Sequence, residues 1–254
     1  MGMPAIETRG KGLQQRYLEA YLNDGHVTVP DIFDPAECDA AVADAERWSA
    51  DVVAGLDEAS RGKYVEAGSS RPRWIDHPVR HRAIFEKMAR APRLTDLIEA
   101  LIGPSVDVYF SQIFFKPPEG GSPKPAHQDN FYAGPNNPEG LVTAWIALDE
   151  ASVANGCLYF VNGSHHGPVF PHVAPPDQPY HLQLRPDDEA RQTFTAAPVP
   201  KGGVSFHHGG TIHRSGANLS QHWRRALAIT YVTRDTFFAD PKLNYDRALR
   251  LQVT

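Results

Sequence analysis

The chain has 254 residues and a formal charge of −5 at pH 7, with a pI near 6.2. No long Lys/Arg run interrupts it, which argues against a nucleic-acid surface. Its two cysteines, Cys38 and Cys157, form no C-x-x-C or disulfide pattern, as suits a reducing cytoplasm.

The N-terminal stretch Met1-Gly2-Met3-Pro4-Ala5-Ile6 lacks an apolar signal core. No apolar run approaches the ~18 residues of a transmembrane helix, and the terminal Gln252-Val253-Thr254 is not a peroxisomal tripeptide. A cytoplasmic protein without membrane or nucleic-acid partners is therefore expected. Length fits one domain spanning residues 1–254, with a mostly helical part over 1–104 and a β-rich core over 105–235.

In chain order, Leu13, Tyr17 and Tyr21 recur at helical spacing and Gly25 follows as a stop. The extended His26-Val27-Thr28-Val29 comes next. Asp34-Pro35-Ala36-Glu37 reads as a helix start with a capping box, and Cys38, Val42, Ala45 and Trp48 form its apolar stripe. Residues 58–82 form a polar stretch expected to be a loop, with Arg71, Arg73, Arg80 and Arg82 around Trp74. A helical region covers about 83–102, broken near Pro92 and ended by Gly103-Pro104.

From residue 105 the pattern alternates. Val106 to Lys116 reads as one long strand ended by Pro117-Pro118, with Gln112 and Lys116 on a face shared with apolar residues. A polar group there must line a cavity, bond to backbone or sit at an edge. Residues 130–140 are expected to be a loop, and 143–149 a strand. Asn155-Gly156 is a hairpin signal before Cys157 to Val161. Residues 168–200 form a long Pro-rich connection with a helical turn near 187–194. Val204-Ser205-Phe206, a His-rich turn and a strand from Arg225 to Thr233 follow. Short strands joined by Gly, Pro and Asn turns predict a mainly β fold with flanking α-helices, either a barrel or a double-sheet jelly roll.

Within this frame, His127-Gln128-Asp129 places an imidazole and a carboxylate two residues apart. An extended backbone would send both to the same face. His213 is the best candidate for a third ligand. Two histidines and a carboxylate with one side open form the facial arrangement of non-haem Fe(II) oxygenases. The triplet alone is weak, because a chain this rich in His and Asp produces one by chance.

Several segments together carry a family likeness: His127-Gln128-Asp129, Ala144 to Leu148, Asn155-Gly156-Cys157-Leu158, Gly163-Ser164-His165, Phe206-His207-His208, His213 to Asn218, and Arg224-Arg225-Ala226. In this order they resemble the phytanoyl-CoA dioxygenase-like family of Fe(II)/2-oxoglutarate oxygenases over roughly residues 105–235. The resemblance implies a double-stranded β-helix (jelly-roll, cupin-like) core with Fe(II) held by His127, Asp129 and His213. It also implies 2-oxoglutarate and O₂ as co-reactants. Arg224, eleven residues after His213, would hold the cosubstrate's far carboxylate with Ser215, and Gln112 and Trp145 would line the same pocket. A planar guanidinium suits that clamp, and strand alternation lets only one of Arg224 and Arg225 face inward.

The implied reaction is oxidation of an unactivated C–H bond of a small molecule, with release of succinate and CO₂. Retention of Asp129 points to hydroxylation, since related halogenases lack that carboxylate. At most one of His207 and His208 faces the site, and His165 and His166 are expected to anchor a loop. Tyr132, Phe131, Phe110 and the Arg71/Trp74 stretch are substrate-side candidates. A free small molecule is expected in preference to an acyl-CoA, and the protein is expected to be a monomer or homodimer. The rival readings are a cupin-like metal enzyme without 2-oxoglutarate and a non-catalytic metal-binding sensor.

Overall fold

The computed structural model describes residues 5–66, 70–175, 181–238, 241–242 and 247–254, with side chains from residue 15 onward except that of residue 247. Its N-terminal part comprises α1 (Ala5–Asp24), β1 (His26–Val29), α2 (Pro35–Gly55), α3 (Glu58–Tyr64), β2 (Trp74–Asp76), α4 (Pro78–His81), α5 (Ala83–Ala89) and α6 (Pro92–Ile102). The strand-rich part begins with β3 (Val106–Lys116), β4 (Lys124–His127), α7 (Asp129–Ala133), β5 (Leu141–Ala147) and β6 (Leu158–Phe160). It continues through β7 (His172–Val173), β8 (Gln183–Leu184), α8 (Pro186–Glu189) and β9 (Thr195–Ala197). The last strands are β10 (Val204–His208), β11 (His213–Ser215), β12 (Arg224–Thr233) and β13 (Leu251–Gln252).

Local chemistry sets the helix ends. Asp34 accepts from the Glu37 N–H while the Glu37 carboxylate accepts from the Asp34 N–H, so α2 starts on the expected capping box. Gly25 and Gly103 stand at φ +79° and +100° where α1 and α6 stop, a region that costs glycine little.

The major sheet runs β1-β10-β5-β12-β3-β13, and β2 also pairs with β3. The minor sheet runs β4-β11-β6-β9. Strand alternation gives the major sheet two working faces. Ile113, Ile146, Leu227 and Ile229 face outward into a core completed by Tyr21, Cys38, Phe85 and Leu94 of the helices. Trp145, Ala147 and Ala226 face inward and meet Leu158 and Phe160 of the minor sheet. Every residue of β5 is buried because both faces are covered. Ala226 and Ala228 are among the inward residues of β12, and their small side chains leave space between the sheets.

This is the predicted jelly roll with flanking helices. Four local expectations need correction. Residues 58–82 contain α3, β2 and α4, because β2 finds the free edge of β3 through Trp74↔Phe114 and Asp76↔Gln112. The expected loop over 130–140 opens with α7. The segment 168–200 contributes β7, β8 and β9 besides its helical turn. Asn155-Gly156 makes a tight turn, with Gly156 at φ +86°, but not a hairpin. β5 belongs to the major sheet and β6 to the minor one, so the turn carries the chain between layers. Among the described residues, no helix is long and apolar enough to cross a membrane.

Candidate metal and cosubstrate site

β4 and β11 pair with His127 directly opposite His213, which brings together two residues far apart in sequence. The backbone stays extended through Gln128 and then turns into α7, so Asp129 joins His127 on one side while Gln128 points to the other. One ligand atom from each of His127, Asp129 and His213 lies within 4.8 Å of the others. Asp129 Oδ1 is 3.7 Å from His127 Nε2 and 3.9 Å from His213 Nε2.

The surrounding hydrogen bonds fix which atoms are available. His127 Nδ1 lies 2.8 Å from the Pro125 carbonyl, and His213 Nδ1 lies 3.0 Å from the Thr211 carbonyl. A carbonyl only accepts, so each Nδ1 carries the proton and each Nε2 lone pair faces the gap. Asp129 Oδ2 accepts from Thr143 Oγ1 at 2.7 Å and has His207 Nε2 at 3.3 Å, which leaves Oδ1 free. Burial holds both histidines neutral: His127 sits well below the usual histidine value, and His213 is lowered to about 4. Burial alone would raise the Asp129 carboxyl, but it lies well below the usual carboxylate range, and hydrogen bonds from His207 and Thr143 favour its ionised form. Two neutral imidazoles and a carboxylate are the form in which these groups bind a cation.

A second cluster faces the same cavity of about 550 Å³. Arg224 is 2% exposed, its Cζ is 5.3 Å from the Trp145 ring, and its Nε has no hydrogen-bond partner among the described residues. Lys116 pairs with Arg224 across β3 and β12. Its Nζ donates to Ser215 Oγ at 2.8 Å and to the Gly216 carbonyl. Burial, then the neighbouring Arg224, drives the Lys116 ammonium well below its usual value, and burial lowers Arg224 to about 9. Neither cation has a carboxylate partner among the described residues. An unpaired buried charge costs several kcal/mol, and an anion entering the cavity would offset that cost. Arg225 faces the other way and is clamped by Asp149 at 2.7 and 3.0 Å, with Glu46 beside it.

The structure thus brings His127, Asp129, His213, Trp145, Ser215 and Arg224 to one cavity. Gln112 also lines that cavity, but its Nε2 donates to Asp76 Oδ1 at 2.7 Å. Tyr132, Phe110 and Trp74 line the wall. Phe131 instead stacks on His172 at 4.1 Å, and Arg71 lies over Trp223. His207 faces the site, while His208 faces Glu139 on the far side. His165 lies 3.2 Å from the Leu22 carbonyl and anchors its loop as expected.

Sequence reasoning noted Lys116 on an apolar strand face but gave it no role at the site, and it missed Thr143. That placement was the signal for Lys116. Thr143 carried none, being one of several strand threonines.

A profile of the phytanoyl-CoA dioxygenase (PhyH) family matches residues 21–226. The chain belongs to that family. Among curated relatives, it is 27% identical over 225 residues to a probable alpha-ketoglutarate-dependent hypophosphite dioxygenase of Stutzerimonas stutzeri, covering 85% of this chain and 78% of the relative. It is 30% identical over 160 residues to the human peroxisomal phytanoyl-CoA dioxygenase, covering 59% of this chain and 46% of the human one. It therefore spans about half the length of that second relative. Similar solved structures include EctD from S. alaskensis with 2-oxoglutarate and 5-hydroxyectoine, at TM-score 0.73 and 22% identity, covering 89% of this chain and 78% of that one. Another is the epimerase SnoN with Fe³⁺, alpha ketoglutarate and nogalamycin RO, at TM-score 0.72 and 24% identity, covering 92% and 88%. At these identities the likeness establishes the fold.

Proposed function

We propose that this PhyH-family dioxygenase uses Fe(II) and 2-oxoglutarate to hydroxylate a C–H bond of a free small molecule. His127, Asp129 and His213 would hold the iron, and Arg224 would hold the far carboxylate of 2-oxoglutarate. The observation that carries this reading is the unpaired Arg224–Lys116 pair at the wall of the cavity that also holds the triad. A metal hydrolase or sensor on the same ligands has no use for two buried cations without an anion. A dicarboxylate with one end at the metal and the other at Arg224 satisfies both clusters.

Bound iron with 2-oxoglutarate and O₂ would supply the oxidation, releasing succinate and CO₂. The chain's own residues set up that chemistry. Thr143 and the Nδ1–carbonyl bonds orient the three ligands, so no side chain must reorganise when the metal enters. Lys116 and Arg224 fix the cosubstrate, and Trp145 closes the space beside Arg224. The two covered sheet faces keep water from the interior.

The name of the S. stutzeri relative gives it a small ion as substrate, which supports a free small molecule over an acyl-CoA. Structural neighbours also include an epimerase and the carbocyclase SnoK, so outcomes other than hydroxylation occur on this fold. Asp129 supports hydroxylation over halogenation, because its carboxylate keeps filled the metal position that a halide would take.

The test is succinate release. Purified protein with Fe(II), 2-oxoglutarate and O₂ should form succinate, faster in the presence of a substrate that gains one oxygen by mass. Absence of both 2-oxoglutarate binding and succinate formation in the iron-loaded protein would overturn the proposal.

A further inference from the structure

The cavity holds a third group of polar atoms that neither the metal ligands nor the Arg224 cluster uses. Lys124, the first residue of β4, lines it with no ion-pair or hydrogen-bond partner among the described residues. Its Nζ lies 5.9 Å from the Trp74 ring and 5.7 Å from the Tyr132 ring. Trp74 is 6% exposed, and its Nε1–H is buried without a hydrogen-bond partner among the described residues. His181 is 4% exposed, stands 5.2 Å from Trp74 ring to ring, and leaves Nε2 buried with no partner among the described residues. Burial, with Lys124 and Arg73 nearby, lowers His181 to about 3, so its ring is neutral and can donate one N–H.

These three side chains line one cavity and bring to it a cation and two groups able to donate, and two of them come from segments outside the jelly roll. Trp74 is on β2 in the 58–82 stretch, and His181 is on the 168–200 connection. Buried donors without partners cost about as much as lost hydrogen bonds, so their common partner is an acceptor. Charge narrows its nature. Other cations on this wall are already paired: Lys63 with Asp76 at 3.4 Å and Arg73 with Glu66 at 3.2 Å. With 2-oxoglutarate on Arg224 and Lys116 and a divalent metal on the triad, Lys124 remains a positive charge without an anion. The neighbouring Tyr132 and Phe110 are aromatic and suit a carbon skeleton.

We propose that Lys124, Trp74 and His181 form an oxyanion subsite for the substrate, and that the enzyme oxidises a small organic acid bound through its anionic group. The proposal rests on the function given above and narrows its substrate class. A carboxylate and a phosphonate share the required chemistry. An acyl thioester lacks it at the acyl end.

The experiment is calorimetric titration of the Mn(II)- and 2-oxoglutarate-loaded protein under anaerobic conditions. The titrants are hexanoate, phenylacetate and benzylphosphonate, each acid compared with hexanamide or phenylacetamide. At least one acid should bind about tenfold or more tightly than its uncharged counterpart, the gain expected of a charge-assisted hydrogen bond. Comparing carboxylate with phosphonate identifies the preferred oxyanion. Lys124→Met should erase the preference and Lys124→Arg retain it, with 2-oxoglutarate affinity changed less than about twofold in both. Trp74→Phe keeps an aromatic ring, though a smaller one, and removes the donor, and should weaken acids by about three- to tenfold more than amides.

Equal affinity for acids and amides, or no binding by any acid, would overturn the subsite. So would a Lys124→Met variant that loses 2-oxoglutarate affinity while keeping the acid preference, because Lys124 would then belong to the cosubstrate. If 2-oxoglutarate failed to bind while the acid preference persisted, the proposed function would fall and the subsite would stand.

Discussion

The two oxygens of Asp129 have different surroundings, and that difference makes the residue a usable ligand. Oδ2 is occupied by Thr143 at 2.7 Å with His207 nearby, whereas Oδ1 faces the two imidazoles. Replacing His213 or Asp129 by Ala should lower iron affinity by more than about 100-fold with unchanged circular dichroism, read by metal analysis of dialysed protein. Thr143→Val keeps the shape but removes the hydrogen bond, so a loss of about tenfold is expected. Full iron occupancy in His213→Ala would remove it from the ligand set. At the other cluster, Arg224→Met should weaken 2-oxoglutarate binding by about 2–5 kcal/mol, the usual effect of deleting one partner of a buried charge pair. Arg225→Met should leave cosubstrate binding intact and cost about 1 kcal/mol of stability through its part-buried clamp on Asp149. The opposite pattern in a 2-oxoglutarate titration would mean that β12 faces the other way.

At the scale of elements, Gln128 holds the short β4–α7 turn in place. Its Nε2 donates to the Gly210 carbonyl at 2.7 Å and the Pro168 carbonyl at 3.2 Å, and its Oε1 accepts from the Phe170 N–H at 2.8 Å. One side chain therefore ties the ligand-bearing turn to the loop before β11 and to the start of the 168–200 connection. Gln128→Leu would leave those backbone groups buried and unpaired, and should destabilise the protein by about 2–4 kcal/mol. Metal affinity should fall as well, since His127 and Asp129 flank the anchor. Denaturant unfolding beside a metal titration checks both, and an unchanged midpoint would show that the loops hold themselves. The β5-to-β6 crossing works on the same principle: Asn155 Oδ1 accepts from the Ser152 N–H at 2.7 Å and its Nδ2 donates to the Glu150 carbonyl at 2.8 Å. The side chain thereby shapes a loop between layers.

For the whole molecule, the N-terminal helices and the β-rich core share apolar contacts: Tyr21, Cys38, Phe85 and Leu94 pack with Ile113, Ile146 and Leu227. We propose that the two parts unfold as one domain, giving a single calorimetric transition. That transition should depend on pH. Burial lowers His26 and His181 below the ordinary value of 6.5, His181 to about 3. Below pH 6.5 the unfolded chain binds protons that the folded chain refuses, so stability should fall as pH drops from about 6.5 toward 3. His181→Gln should flatten that slope in thermal melts of the metal-free protein. A wild-type melting temperature that is flat or rises over this range would contradict the assigned burial.

What the sequence determined by itself was whatever depends on local rules or on side-chain chemistry. The Asp34–Glu37 capping box, the alternation of β3 and the opposite facing of Arg224 and Arg225 all follow from periodicity and capping, and the structure places them as expected. The His-x-Asp pair is weak alone, and it and its distal partner His213 became legible only beside the ordered segments that resemble the phytanoyl-CoA dioxygenase-like family. Tertiary structure decided the rest. β2 exists because β3 has a free edge, not because Trp74-Ile75-Asp76 favours a strand strongly. The Asn155-Gly156 turn joins two sheets because β5 already has β10 and β12 on its two sides, which leaves no edge for a hairpin. Lys116 became part of the site through its cross-strand pairing with Arg224 and its reach to Ser215, and Thr143 through its approach to Asp129. Such roles depend on the approach of strands distant in the chain, which neither propensity nor spacing encodes.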